Sequence, residues 1–316
     1  MIWDAQAKGL MPGGGFRRIF IQSAGVGKSP GGAEKEQESR CAMEMLTGHV
    51  RAAVEKYQMI EQGDRVAVGV SGGKDSMFLL YALDALRRYY PKRFQLAAVT
   101  IDPGFDGKEG DYEALQVFCR NREIPLILKR SNLAEIVFSG RDSPCSLCAR
   151  MRRGMLHNLC VAHGFNKIAL GHHMDDAVQT VLMNLFYGGK IGCFSPVTWL
   201  SRKQITMIRP LLFCPESGIR RQVRGLALPV VKSLCPVDGL TARRDTAELV
   251  ARLEQSFPDL KAKVIGAIQR GDIDGWGLPG NGRRPPGSAG KSSKNRMEAP
   301  GTETGKTKET GRIAVE

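Results

Sequence analysis

The sequence predicts an α/β fold in which helices flank a doubly wound parallel sheet and both termini are disordered. Two observations carry this prediction. Short apolar runs typical of buried strands alternate along the chain with longer segments of helical periodicity. A glycine-rich turn directly follows the first of these strands, and open parallel sheets bind ligands at the carboxyl ends of their strands. With 316 residues, 42% of them hydrophobic, the chain can bury a substantial core.

The predicted elements alternate regularly as far as residue 187. In chain order they are a helix at about 42–62, a strand at 66–70, a helix at 75–89, a strand at 96–101, a helix at 110–122, a strand at 126–129, a strand at 167–170 and a helix at 175–187. A segment rich in Arg and Cys, 141–153, runs into a further helix before the fourth strand. We expect an α-rich portion to close the fold by about residue 270.

Both ends of the chain have the composition of disordered segments. Residues 1–40 and 271–316 are rich in Gly, Ser and charged residues, so they cannot bury a core. The sequence therefore predicts one folded domain over 41–270, with an N-terminal helix and a helical C-terminal portion. Translation could also start later, at Met43 or Met45.

The net charge of +14 indicates a polyanionic partner. Each tail contributes only +2, which leaves +10 on residues 41–270. Positive charge on a folded body favours phosphate backbones, so RNA is the expected partner, although a basic protein without such a partner has the same composition. The chain has no apolar run of 18 residues and no secretory signal at its start, and we expect a cytoplasmic enzyme without a membrane span.

The segment Ser71-Gly72-Gly73-Lys74-Asp75-Ser76 is the strongest local signal for ligand binding. Its two glycines allow a sharp turn between strand and helix, where exposed N–H groups and the helix dipole attract an anion. Lys74 and the serines add donors, and Asp75 can orient a metal ion. The segment lacks the glycine and lysine spacing of a Walker A loop. A plain turn is the alternative.

This motif resembles the phosphate loop of the PP-loop ATP pyrophosphatases, which cleave ATP between its α and β phosphates. The resemblance extends from about Gly63 to Arg244. It implies that ATP binds residues 71–76, with the adenine near Ile101. It also covers the segment Gly171-His172-His173-Met174-Asp175-Asp176, in which Gly171 implies a close approach to the nucleotide. Asp175 and Asp176 can hold Mg²⁺, cap the helix that follows, or do both.

The eight cysteines include a single CxxC pair, Cys145 and Cys148. A zinc knuckle needs a second pair, and a thioredoxin-like dithiol belongs after a first strand. The third interpretation adds the isolated Cys235, because three thiolates can bind a [4Fe–4S] cluster that keeps one iron open. We expect Cys119 and Cys160, which lie in helical apolar patterns, to be small core residues.

Together with the arginines after Cys148 and the segment Arg209-Pro210-Leu211, this cysteine set resembles the TtcA-like tRNA 2-thiocytidine synthetases. The resemblance implies that Cys145, Cys148 and Cys235 bind a [4Fe–4S] cluster. Some members carry a second CxxC at the later site, where this chain has Cys235 alone. The zinc-binding pairs of the 2-thiouridine enzymes are absent. We expect Arg152 to contact ATP or tRNA, although a solvated helix face would have the same composition.

The predicted reaction is therefore ATP-dependent thiolation of C2 of a cytidine in tRNA, at position 32. Asp75, Asp176, Cys145 and Cys148 are its predicted catalytic residues, and ATP, Mg²⁺ and the cluster are its cofactors. A cysteine desulfurase or another donor must supply the sulfur, and a homodimer is left open. The alternatives are a 2-thiouridine synthetase, a lysidine-type ligase and a non-catalytic RNA-binding module.

Overall fold

The computed structural model describes residues 31–105, 110–138, 144–231, 234–235 and 242–277. The helices are α1 (Gly31–Lys56), α2 (Lys74–Arg87), α3 (Glu113–Asn121), α4 (Leu133–Phe138), α5 (Pro144–Ala162), α6 (Met174–Phe186), α7 (Glu216–Gly225), α8 (Ala242–Ser256) and α9 (Leu260–Arg270). The strands are β1 (Arg65–Gly69), β2 (Gln95–Asp102), β3 (Leu126–Arg130), β4 (Lys167–Ala169), β5 (Val197–Leu200) and β6 (Ile205–Ile208). None of the described helices is long and apolar enough to cross a membrane.

The described strands form one sheet in the order β3-β2-β1-β4-β6-β5. All neighbouring strands are parallel except β5 and β6, which are antiparallel. The chain builds the sheet outwards from β1 to β3, then returns to the other side of β1 with β4. The order therefore reverses between β1 and β4, and such switch points are where open parallel sheets bind ligands. The α/β fold with a doubly wound sheet is confirmed.

The central strand is buried on both faces, as its continuous apolar sequence predicts. Val66, Ala67 and Val68 are fully buried. Val66 and Val68 belong to the larger core, which includes residues of α1, α2, α6 and α7. Ala67 faces the opposite side, where Cys160 of α5 belongs to a smaller core. The sheet is thus held between two layers of helices, and its carboxyl edge remains available to a ligand.

Four parts of the fold differ from the sequence prediction. The segment after α6, predicted to be α-rich, contains the β5–β6 hairpin, whose strands have only four residues each. The short helix α4 was not predicted, and α1 begins at Gly31, inside the predicted N-terminal tail. At the other end, Trp276 lies beyond the predicted boundary at residue 270 and is fully buried. The predicted disorder of 1–30 and 278–316 falls outside the described residues.

We expect Trp276→Ala to destabilise the protein by about 3–5 kcal/mol, because the substitution leaves a large cavity in the core. The indole Nε1–H also donates to the carbonyl of Phe194 at 2.8 Å, and this hydrogen bond would be lost. Urea denaturation measures the effect. Phe257→Ala is the control, since that ring is 54% exposed and its removal should cost little. Equal stability of the two variants would show that the domain ends before Trp276.

Candidate active site at the switch point of the sheet

The loop after β1 leaves the first turn of α2 open to an anion. Gly72 has a φ of +89°, a backbone angle that residues with a side chain rarely adopt. Gly73 is the N-cap of α2 and has an extended backbone conformation. No side chain in the described part of the chain caps this helix. The N–H groups of its first turn therefore point to the carboxyl edge of the sheet without a side-chain partner, which is the arrangement that binds phosphate.

The two serines of the motif hold this loop in shape. The backbone N–H of Ser71 donates to Ser76 Oγ at 3.1 Å, and the hydroxyl of Ser76 donates to the carbonyl of Gly73 at 2.9 Å. The two hydroxyl oxygens lie 3.2 Å apart. These bonds fix the loop before a ligand binds, so little conformational entropy remains to be lost on binding.

Lys74 and Asp75 form an ion pair that extends to α7. Lys74 Nζ lies 3.0 Å from Asp75 Oδ2 and 2.9 Å from Glu216 Oε1. Burial alone would lower the pKa of Lys74, but the bonds to Glu216 and Asp75 outweigh it and raise this pKa. Burial would likewise raise the pKa of Glu216, whereas hydrogen bonds from Lys74 and Arg220 lower it to about 2. Both partners are therefore charged at neutral pH.

Asp75 also presents an oxygen to the site. Its Oδ1 atom is buried and makes no hydrogen bond within the described part of the chain. His173 Nε2 lies 3.7 Å from this oxygen. A buried carboxylate oxygen without a donor costs free energy unless a ligand completes it. This atom is therefore suited to a cation or to a donor on a bound nucleotide.

The loop after β4 packs directly on the phosphate loop at Gly171. A Cβ atom at this position would lie 3.1 Å from both the carbonyl carbon of Asp75 and the backbone nitrogen of Ser76. Because these are backbone atoms, they cannot move aside as a flexible side chain can. Gly171 thus allows two neighbouring strands to bring their loops into contact, and the predicted close approach of its backbone to the nucleotide stays a prediction.

The carboxylates of Asp175 and Asp176 have separate roles in the structure. Asp176 Oδ2 accepts the backbone N–H of His173 at 3.0 Å, and His173 Nδ1 accepts the N–H of Asp176, which makes a capping box for α6. Asp175 Oδ2 accepts the N–H of Glu216 at 2.7 Å, and its Oδ1 lies 2.6 Å from Lys261 Nζ. Both oxygens of Asp175 are thus engaged by groups of α7 and α9. The Mg²⁺ role of Asp175 and Asp176 stays a prediction.

The helix that carries the CxxC motif meets the same edge of the sheet. Arg152 Nη2 donates to the carbonyl of Ile101 at 3.2 Å, where the family resemblance implies the adenine. Cys148 is half-buried and lies four residues before Arg152, on the same face of α5. Cys145 belongs to the first turn of α5. Thiolates are favoured at a helix N-terminus.

The segment that leads to Cys235 is anchored on the phosphate loop. The N–H of Val231 donates to the carbonyl of Gly72 at 3.0 Å. The Val231 Cβ would lie 2.8 Å from any Cβ placed on Gly72, so the two segments are in close contact. Cys235, four residues farther on, is half-buried. Cys235 therefore lies four residues along the chain from a contact with the phosphate loop.

The other described thiols have core environments. Cys119 and Cys160 are buried, as predicted, and burial raises their pKa to about 11 and about 12. Burial also raises the pKa of Cys193 to about 12 and that of Cys214 further still. These thiols are protonated at neutral pH, whereas a metal ligand must be a thiolate.

Two charged residues, Glu216 and Arg209, make structural contacts that the sequence analysis did not predict. Glu216 has no local signal that links it to Lys74, because the contact depends on how α7 packs beside α2. Arg209, noted only as part of a motif, is buried and donates to the carbonyl of Ser195 and to Thr198 Oγ1. Its guanidinium also lies over the Phe194 ring, and it therefore joins the end of β6 to the start of β5.

Comparison with known proteins agrees with this geometry. Residues 46–229 match a family described as a PP-loop domain. The tRNA-cytidine(32) 2-sulfurtransferase of Syntrophotalea carbinolica is 39% identical over 71% of this chain and 86% of its own length. That of Pelobacter propionicus is 41% identical over 69% and 82%. A solved structure of the U34-tRNA thiolase NcsA from Methanococcus maripaludis with its [4Fe–4S] cluster has a TM-score of 0.62 at 27% identity, covering 73% of this chain and 79% of the thiolase.

Proposed function

Because this chain belongs to the PP-loop family, in a group whose curated relatives are tRNA-cytidine(32) 2-sulfurtransferases, we propose that it is an ATP-dependent tRNA sulfurtransferase. Its substrate in this proposal is cytidine 32, in which sulfur replaces the oxygen on C2. One observation carries the proposal. Both cysteine segments touch the nucleotide site, through Arg152 on the carbonyl of Ile101 and through Val231 on the carbonyl of Gly72.

The first step in this proposal is adenylation of the base. The C2 oxygen forms a bond to the α-phosphorus of ATP, the bond from that phosphorus to the β-phosphate bridge breaks, and pyrophosphate leaves. The N–H groups at the start of α2 and the Lys74 ammonium are placed to stabilise the charge that develops on the phosphates. Since Lys74 is already held by two carboxylates, it needs little reorganisation when the phosphates arrive.

The carboxylates suit a magnesium ion that accompanies the nucleotide. Mg²⁺ usually binds one or two protein carboxylates together with phosphates and water. Asp75 offers a buried oxygen that lacks a hydrogen bond in the described chain, and Asp176 lies in the first turn of α6. Asp75 Oδ1 and Asp176 Oδ2 lie 3.7 Å and 3.5 Å from the same atom, His173 Nε2. We assign the ion to these two groups.

The second step requires a sulfur nucleophile at C2, with AMP as the leaving group. We assign Cys145, Cys148 and Cys235 as ligands of a [4Fe–4S] cluster, which when bound by three thiolates keeps one iron open for a sulfur ligand. The half-buried positions of Cys148 and Cys235 fit this assignment, whereas the protonated core cysteines do not. A cysteine desulfurase or another donor supplies the sulfur.

A second candidate is thiolation of uridine 34. The likeness to the NcsA thiolase favours it, since the two chains share a fold at 27% identity. The relatives named for cytidine 32 are more similar, at 39% and 41%. A base must leave its stack before a pocket can reach C2, and both positions lie in the single-stranded anticodon loop, where this is easiest. The two candidates therefore differ in the base and not in the chemistry.

Deletion of the gene should remove 2-thiocytidine from bulk tRNA, and a plasmid with the intact gene should restore it. Nucleoside mass spectrometry after complete digestion of the tRNA makes the measurement. The Lys74→Ala gene is the matched control, which should express the protein without restoring the modification. Unchanged 2-thiocytidine together with loss of another thionucleoside or of lysidine would contradict the proposal and identify the product.

A further inference from the structure

We propose that a basic cleft beside the phosphate loop binds the phosphodiester backbone of the RNA substrate. The cleft has a volume of about 450 Å³ and is lined by Asp175, Glu216, Ser217, Arg220, Arg221, Arg224 and Lys261. We call it the α7 cleft, because most of these residues belong to that helix. The inference rests on the proposed function, which supplies the RNA, and adds where its backbone docks.

The acidic groups of the α7 cleft are already neutralised within the protein. Asp175 is bonded to Lys261 at 2.6 Å, and Glu216 Oε1 lies 2.9 Å from Lys74 Nζ and 2.9 Å from Arg220 Nη2. The guanidinium groups of Arg221 and Arg224 are exposed, and neither has a carboxylate or hydrogen-bond partner within the described part of the chain. The uncommitted charge of the cleft is therefore positive.

The arginines are presented on a well-supported helix. Ile219, Gln222 and Val223 form the buried face of α7, which fixes the opposite face towards solvent. Arg221 and Arg224 are three residues apart, so they are neighbours on that face, about one helical turn from each other. A guanidinium can donate two parallel hydrogen bonds to one phosphate. Its planar geometry therefore suits a phosphate better than the ammonium group of a lysine does.

The α7 cleft shares a residue with the ATP site. The same oxygen of Glu216 accepts from Lys74, which belongs to the phosphate loop, and from Arg220, which lines the cleft. A backbone phosphate bound in the cleft thus lies one side chain away from the proposed phosphate site of ATP. Contacts of this kind fix the position of a nucleic acid without reading its sequence. They would hold the RNA while the target base reaches the adenylation site.

The test is the double charge reversal Arg221→Glu with Arg224→Glu. Its control is Arg93→Glu with Arg120→Glu, which makes the same change in net charge. Arg93 lies just before β2 and Arg120 lies in α3, and both are exposed. Binding of unmodified tRNA is measured by fluorescence anisotropy over a range of salt concentrations. We expect the cleft variant to bind tRNA at least about tenfold more weakly than the control. The slope of its log affinity against log salt concentration should fall by the amount that corresponds to about two phosphate contacts. ATP binding and iron content should match those of the control.

Several outcomes would overturn the inference. The α7 cleft is excluded if its variant binds tRNA as tightly as the control does. It is also excluded if the variant keeps its tRNA affinity but loses binding of inorganic pyrophosphate, since the cleft would then serve the ATP reaction alone. A wild-type chain that binds no tRNA overturns the proposed function together with this surface. If the reversal does not fold, Arg221→Gln with Arg224→Gln replaces it, and an unchanged affinity again excludes the cleft.

Discussion

Replacing Cys235 by serine should abolish both iron binding and tRNA thiolation while ATP binding persists. A serine hydroxyl stays protonated at neutral pH and is a hard donor, whereas iron–sulfur clusters are held by soft thiolates. We expect thiolation to fall to about 1% of the wild-type rate or less, in line with the loss of an essential group. Iron and acid-labile sulfide per chain, measured after anaerobic purification, give the cluster content independently of activity.

Cys193→Ser is the matched control for this variant. Its thiol is partly buried, and its Sγ lies 3.7 Å from the carbonyl of Ala177, a contact that a hydroxyl can replace. This control should therefore retain iron, sulfide and activity. Full iron content and full thiolation in the Cys235→Ser protein would rule out the three-ligand assignment. Loss of ATP binding in that protein would instead point to a structural role for the segment anchored at Gly72.

The parts of the site that could be predicted are those fixed by local backbone geometry. The turn at Gly72 and Gly73 follows a buried strand and precedes a helix, so a short stretch of sequence defines it. Gly171 is a different case, because the contact that excludes a side chain there is with the backbone of Asp75, far away in sequence. The motif drew attention to this glycine, but only the fold shows the steric requirement.

The orientation of neighbouring side chains could not be predicted in the same way. Asp175 and Asp176 are adjacent, but successive residues of a helix point about 100° apart. One carboxylate therefore caps its own helix, and the other reaches the N–H of Glu216 and Lys261. Which one reaches α7 and α9 depends on where those helices pack, and those contacts join residues far apart in sequence.

The β5–β6 hairpin and Trp276 were missed for a related reason. A strand of four residues gives too short an alternation to distinguish it from a loop. Trp276 follows a glycine-rich boundary that resembles a tail, yet its indole is buried and hydrogen bonded to the carbonyl of Phe194. Both elements gain their stability from tertiary contacts, which local patterns do not reveal.

Lys74→Ala and Asp75→Ala should each reduce pyrophosphate formation by at least about a hundredfold. Removal of one preorganised donor from a site of developing negative charge typically has an effect of this size. In Lys74→Ala the phosphates lose their ammonium partner. In Asp75→Ala the buried oxygen assigned to the metal ion is removed, together with a contact that holds Lys74 at 3.0 Å. Release of labelled pyrophosphate from ATP in the presence of unmodified tRNA gives the rate.

Neither variant should unfold the protein or empty the cluster site. Without Lys74, Glu216 keeps its bond to Arg220 at 2.9 Å, and the Asp75 side chain is 28% exposed, so water can solvate both carboxylates. Lys92→Ala is the control, because that lysine is paired only with Glu61 on the surface among its described contacts, at 2.8 Å. It should preserve the wild-type rate. If either loop variant turned over ATP at that rate with its iron intact, residues 71–76 would lie outside the reaction, and the adenylation step would have to be assigned elsewhere on the sheet.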